Sequence, residues 1–476
     1  MFRKHLLTFL LLVLTCTSLP AAEQVRIACV GDSITFGSRI ENRLYNAYPF
    51  QLGRMLGPGY QVRNFGVSGA TLLRNGNKPF TTLPEFQEAL RFRPSIVLIK
   101  LGTNDSKRIN RPFFGEFKAD YQQLIRSFRD VNPAARIILL LPVPAFNHGE
   151  EIGISPAAIR DRIIPMIEDV AYESGCEILD LYHHFLDKPD MFPDNVHPDR
   201  MGARLMALRV LEAIQQRHDP DYSLLEQIKA EKKSFNFHGF RGAEFSLDGI
   251  DMKVVEPWKA NPDHSWIMRV RFFGHEPQVD ISLLERGFHL VYCDLAGLYG
   301  NREAEVRMTR CFMAMLVRGM QCKVALEGFS RGGLAAYNWA AANPEKISCV
   351  YADAPVLDIR SWPGGLGRGA GSDADMVKCM EAYGLANREA LDAFEGNPLD
   401  KARILAKSGK PMLHVYGEED SVVPPEENTL LFASKIRALG GDIRLIAKPG
   451  VGHHPHSLSN PSRITEFILS ATPRRK

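Results

Sequence analysis

The sequence has no Cys-x-x-Cys pair and no Cys/His spacing of the kind that holds zinc. That argues against a structural metal module or a dithiol redox site. Eight cysteines are scattered over 476 residues. Cys29, Cys293 and Cys349 lie in apolar runs, where a buried thiol is the expected reading. The seven that follow residue 22 are an odd number, and one disulfide among them would suit an oxidising compartment, but the sequence does not pair it. No basic stripe interleaved with aromatics occurs, and the formal net charge is only +3. Nucleic acid is therefore not an expected partner. Beyond the N-terminus no apolar run is long enough to span a bilayer. Tryptophan is scarce, and all four, Trp258, Trp266, Trp339 and Trp362, fall in the second half. Long Gly/Ser-rich or Pro-rich linkers are missing too, so two packed halves are expected rather than two swinging ones.

What is present begins with a targeting pattern. Arg3 and Lys4 precede an apolar run over 6–14, followed by small residues ending in Ala21-Ala22. This predicts a secretory signal peptide over 1–22, and hence a secreted or periplasmic protein. Thr15 occupies the place where a lipidation site at Cys16 wants a small Gly, Ala or Ser, so a lipid anchor is not expected. The length, with 45% hydrophobic and 24% charged residues, suits two globular domains.

In the first half, strand and helix patterns alternate five times, which predicts a parallel sheet covered on both faces. The run Val25-Arg26-Ile27-Ala28-Cys29-Val30 is too short for a helix and ends in Gly31-Asp32-Ser33, so Ser33 is expected at the carboxyl end of a buried strand. A second strand ends in Asn64-Phe65-Gly66-Val67-Ser68-Gly69 and a third in Gly102-Thr103-Asn104-Asp105. Asp194 and His197 lie three apart in a Pro-braced loop before the closing helix. A carboxylate so close can orient the imidazole and leave its other nitrogen free for a serine proton. These four blocks, in this order, resemble the SGNH or GDSL-type hydrolase family over about 23–217. The resemblance implies a flavodoxin-like fold with Ser33 as nucleophile, His197 as base and Asp194 as its partner. It also implies an oxyanion hole from the Ser33 and Gly66 amides and the Asn104 side chain.

A break at 217–221 and a short polar helix over 222–233 mark the seam, so the expected domains are 23–218 and 235–476 with a linker at 219–234. In the second half, a strand over 323–327 runs into Gly328-Phe329-Ser330-Arg331-Gly332 and then a helix, the context a Gly-x-Ser-x-Gly elbow requires. Later strands end in Gly417-Glu418-Glu419-Asp420 and in Pro449-Gly450-Val451-Gly452-His453-His454-Pro455-His456. This half resembles the α/β-hydrolase family, with a mostly parallel sheet of about eight strands. The resemblance implies Ser330 as nucleophile, Asp420 as acid and His453 as base. It implies oxyanion donors at Arg331 and near Gly274 or His275. Asp353 also ends a strand and is the alternative acid; loop context favours Asp420. His454 and His456 are expected to pack or line the pocket. No metal is expected, because no carboxylate or cysteine accompanies the histidines at ligand spacing. The stretch 360–369 occupies the place of a lid. There Trp362 and Arg368 are candidate contacts for a sugar ring or an acidic sugar.

The function these readings predict is a secreted esterase with two Ser-His-Asp sites, needing no cofactor. Its expected partner is an acylated, above all acetylated, polysaccharide. The alternatives are a lysophospholipase or thioesterase, a peptidase in the second half, or one half acting as an inert binding module.

Overall fold

In the computed structural model, residues 24–146 and 153–473 are described. The expected signal peptide lies outside them. Five strands build the first sheet: β1 (Val25–Gly31), β2 (Tyr60–Gly66), β3 (Ile96–Lys100), β4 (Arg136–Leu140) and β5 (Glu177–Leu179). All pairings are parallel, in the order β2-β1-β3-β4-β5. The chain runs from β1 to one side and returns to β3 on the other. Such a switch point opens a crevice at the carboxyl ends of β1 and β3, where Ser33 and Asn104 follow. Alternate residues face opposite layers: Ala28 and Val30 enter one apolar cluster, Ile27 and Cys29 another. Both faces are therefore dry, as the near-continuous apolar runs require.

The second sheet has nine strands, one more than expected. They are β6 (Lys233–Phe237), β7 (Phe240–Leu247), β8 (Ile250–Glu256), β9 (Trp266–Arg269), β10 (His289–Cys293), β11 (Val324–Phe329), β12 (Ile347–Asp353), β13 (Met412–Gly417) and β14 (Ile443–Lys448). The order is β14-β13-β12-β11-β9-β10-β8-β7-β6. Strands β9 to β14 pair in parallel, and β6, β7 and β8 join as an antiparallel meander. The added strand is β6. Its exposed Lys233 and Ser234 gave it the look of a linker end, and the expected polar helix shrinks to Leu224–Gln227.

The halves share one apolar cluster. Val170, Ala171 and Ile178 of the first meet Phe237, Phe240 and Val255 of the second. Gly239, at the tip between β6 and β7, has φ +89°, and a Cβ there would come within 3.2 Å of Ile178, so the close approach needs glycine. Polar contacts flank this core: Asn236 Nδ2 donates to Asp169 Oδ1 at 3.0 Å, and Arg209 pairs with Glu285. All seven described cysteines are free thiols. No helix among the described residues is long and apolar enough to cross a membrane.

Two candidate active sites

Ser33 opens a single helical turn directly after β1. Asp32 caps that turn, its Oδ1 accepting the Ile34 amide at 3.0 Å. Lys100 Nζ, fully buried, donates to Asp32 Oδ2 at 3.1 Å and to Thr103 Oγ1 at 2.6 Å. A buried carboxylate at this bend is thus matched by a buried cation. Gly31 is sterically required, since a Cβ there would lie 2.1 Å from Thr35 Oγ1. His197 Nε2 stands 2.8 Å from Ser33 Oγ, and its Nδ1 stands 2.7 Å from Asp194 Oδ2. With Nδ1–H donated to Asp194, the Nε2 lone pair faces the serine hydroxyl. Asp194 Oδ1 accepts the His197 and Val196 amides at 2.7 and 3.2 Å, and Arg39 Nε approaches Oδ2 at 2.8 Å. An open cavity of about 390 Å³, lined by Arg39, Pro193, Asp194 and His197 among others, adjoins the site.

One expected oxyanion donor is corrected. The Gly66 amide donates to Asn64 Oδ1 at 2.8 Å and is not free for a substrate. Gly66 is needed instead for packing, because a Cβ would lie 2.3 Å from the Phe36 amide nitrogen in the turn after Ser33. Three residues on, Gly69 is half-buried and has φ +82°, a conformation that favours glycine. Asn104 is buried and donates through Nδ2 to the Ala70 carbonyl at 3.1 Å, so it lies against the Gly69 loop. Asp105 braces that loop, accepting the Leu72 and Leu73 amides at 3.0 and 2.8 Å; burial pushes its carboxyl up to about 6. The sequence reading missed both Gly69 and Asp105, although each belongs to a motif it had found.

In the second half, β11 turns at Ser330 into the helix Gly332–Ala342. Ser330 has φ +49°, a strained conformation for a non-glycine residue. Cβ atoms on Gly328, Gly332 and Gly333 would meet neighbours at 3.0, 3.1 and 2.6 Å, which explains the glycines around the elbow. Ser330 Oγ lies 3.0 Å from His453 Nε2, and His453 Nδ1 lies 2.7 Å from Asp420 Oδ2. The Val422 and Val423 amides both donate to Asp420 Oδ1 at 2.9 Å. Asp353 is engaged elsewhere. Its Oδ1 pairs with His456 Nδ1 at 2.8 Å, and its Oδ2 accepts the Ser457 amide at 2.8 Å.

Three further expectations change here. The His275 amide donates to the Phe272 carbonyl at 3.1 Å, so it is not a free oxyanion donor. Gly274 is exposed with open space around it; of the segment after β9, Arg271 is the residue that lies against Gly332 of the elbow. Trp362 is only 8% exposed, packed in an apolar cluster with Tyr299, Leu334, Val356 and Ile359, and its ring is not an open platform. Arg331 reaches over it instead, its guanidinium 5.6 Å from the Trp362 and Phe272 rings and paired with Asp375 at 2.8 Å. Arg368 faces solvent with its side chain 71% exposed, 3.4 Å from Glu426.

Residues 29–205 match the model of the GDSL-like Lipase/Acylhydrolase family, and residues 315–470 match that of the Prolyl oligopeptidase family. The chain joins a GDSL-like hydrolase domain to an α/β-hydrolase domain. It is 38% identical over 213 residues to an acetylxylan esterase of Xylanibacter ruminicola, a match covering 41% of this chain and 44% of that protein. It is 26% identical over 213 residues to Lipase 3 of a Moraxella species, covering 36% of this chain and 64% of that one. The chain thus spans less than two thirds of either relative. Among solved structures, the dipeptidyl peptidase 4 of Porphyromonas gingivalis aligns at a TM-score of 0.39 with 16% identity, over 53% of this chain and 38% of that one.

The GDSL domain's electrostatics carry a pH expectation. Burial pushes the Asp194 carboxyl up, but the His197 amide and ring outweigh it and hold it below the ordinary carboxylate range. Asp194 therefore remains charged wherever the imidazole is neutral. Activity that depends on Ser33 should show no acidic limb from Asp194 above about pH 4. A kcat/KM profile of the Ser330→Ala chain between pH 4 and pH 9 checks this; two acidic limbs would contradict it.

Proposed function

We propose that the chain is a secreted serine esterase with two separate Ser-His-Asp sites, acting on acylated polysaccharide. One observation carries the reading: in each half an imidazole lies between a serine hydroxyl and a carboxylate, at 2.8 and 2.7 Å in the first and 3.0 and 2.7 Å in the second. In the first half, Ser33 Oγ adds to the ester carbonyl as His197 takes its proton. The tetrahedral oxyanion is met by the Ser33 amide, the Asn104 side chain and the Gly69 amide, which replaces Gly66 in this role. His197 then protonates the leaving sugar oxygen, and the acyl-serine is hydrolysed by a water that His197 deprotonates. Ser330, His453 and Asp420 run the same cycle in the second half. The Arg331 amide is one oxyanion donor there, and the Arg271–Phe272 backbone supplies the other. Asp194 and Asp420 hold their imidazoles in the productive tautomer.

The likeness to an acetylxylan esterase favours acetyl groups on xylan as the substrate of the first site. The prolyl oligopeptidase match over 315–470 favours a second reading for the other site, hydrolysis of a peptide bond. The test is a panel of acetylated xylan, p-nitrophenyl acetate, p-nitrophenyl palmitate and a chromogenic peptide. Acetate release from xylan, with little turnover of palmitate, is the expected result. Palmitate turnover without acetate release would move the chain to the lipid-directed alternative.

A further inference from the structure

We propose that His275, His454 and His456 form a site for a divalent first-row transition-metal ion, of which zinc is the type. His275 belongs to the loop after β9; His454 and His456 belong to the loop after β14. The fold brings a ring nitrogen of each within 4.8 Å of the others. Ring centroids stand 4.8 Å apart for His454 and His456, and 5.9 and 5.7 Å from His275 to each. Zinc–nitrogen bonds of about 2.0–2.1 Å in a tetrahedron place donors roughly 3.4 Å apart. The remaining distance, about 1.4 Å at most, is within reach of ring rotation, because His275 and His454 are exposed while His456 is buried and fixed.

What distinguishes the cluster from a chance gathering of imidazoles lies behind His456. Its Nδ1 is committed to Asp353 Oδ1 at 2.8 Å, so Nε2 is the atom left to bind an ion. Asp353 is fully buried and is itself fixed by the Ser457 amide at 2.8 Å and the Tyr351 hydroxyl at 3.3 Å. A carboxylate that orients a histidine in this way sets its tautomer and raises its basicity as a metal ligand. The geometry thus gives a role to Asp353, the acid that the Ser330 triad does not use. His453 is no ligand, since both its ring nitrogens are engaged. Three imidazoles without a ligating carboxylate suit zinc, copper, nickel or cobalt rather than magnesium or calcium, and leave a fourth position for water. An ion there would tie the loop after β9 to the loop that carries His453, and so fix the Arg271–Phe272 backbone against the Ser330 elbow.

The test reads bound metal on the full chain. After chelator treatment the protein is titrated with Co²⁺ alone, then Zn²⁺ alone, with uptake and the visible cobalt absorption recorded. About one ion per chain, with the intense spectrum of low-coordinate cobalt, is expected at about 10 µM free metal. The variant His275→Ala/His454→Ala should lose it; both residues are exposed, and circular dichroism verifies its fold. The single change His454→Gln should weaken uptake if the double variant does not fold. Asp353→Asn should weaken affinity about 10–100-fold. No stoichiometric uptake, or uptake unchanged in the histidine variants, overturns the site. Uptake by Ser330→Ala should equal that of the parent chain, so the outcome does not depend on Ser330 being a nucleophile.

Discussion

Ser33→Ala and Ser330→Ala are each expected to silence one activity and spare the other, with only the double variant inert across all substrates. Each hydroxyl is the atom that would bond the acyl carbon. Its loss should lower turnover at its own site by about a million-fold, as removal of a serine nucleophile does elsewhere. Independence follows from the architecture. Ser33 follows β1 of a five-stranded sheet, and Ser330 follows β11 of a nine-stranded one. The halves meet through an apolar cluster and polar pairs such as Arg209–Glu285 and Asn236–Asp169, which include no member of either triad. The measurement is the four-substrate panel on both single variants and the double. If one single variant loses every activity and the other none, the two-site reading is wrong. If Ser330→Ala loses only peptide cleavage, the second site is a peptidase.

The sequence reading put Ser33, Ser330, Asp420 and His453 in loops just past apolar runs, which mark buried strands, and Asp194 and His197 in a Pro-braced loop before the closing helix; the fold brings each set of three within hydrogen-bond reach. The parallel sheets followed from the same alternation. The errors arose where one residue type serves two purposes. Gly66 and Gly69 share a block and both look like turn glycines. Only the fold separates the one that must pack against Phe36 from the one that needs a positive φ. Trp362 beside arginines read as a sugar platform, but a ring meets whatever the fold puts against it, and here that is Tyr299 and Ile359. β6 was hidden by its exposed lysine, since an edge strand in a meander need not be apolar. The histidine cluster was invisible because spacing along the chain cannot show that His275, from a distant loop, lies beside His454 and His456.

Asp420→Asn should nearly silence the Ser330 site, whereas Asp353→Asn should leave most of its turnover. Asp353 closes β12 and Asp420 follows β13 of the same sheet, both are buried, and both accept a histidine Nδ1, at 2.8 and 2.7 Å respectively. Only the histidine held by Asp420 also reaches Ser330 Oγ, at 3.0 Å. Asparagine at 420 keeps the shape and the Val422 and Val423 amide bonds, but it can offer its NH₂ to Nδ1. The imidazole would then carry its proton on Nε2, facing Ser330 with no lone pair to accept the serine proton. Loss of that orientation is expected to cost about ten-thousandfold in kcat, or roughly 5.5 kcal/mol of barrier. Asparagine at 353 makes the same tautomer exchange at His456, which does not touch the nucleophile. Its effect should therefore fall on metal affinity and stability rather than on the chemical step. Turnover of both variants in a Ser33→Ala background, metal-free and with folding verified by circular dichroism, separates the two. If Asp353→Asn is the silent variant, the hydrogen bond from His453 to Asp420 does not orient the base, and the catalytic imidazole is His456.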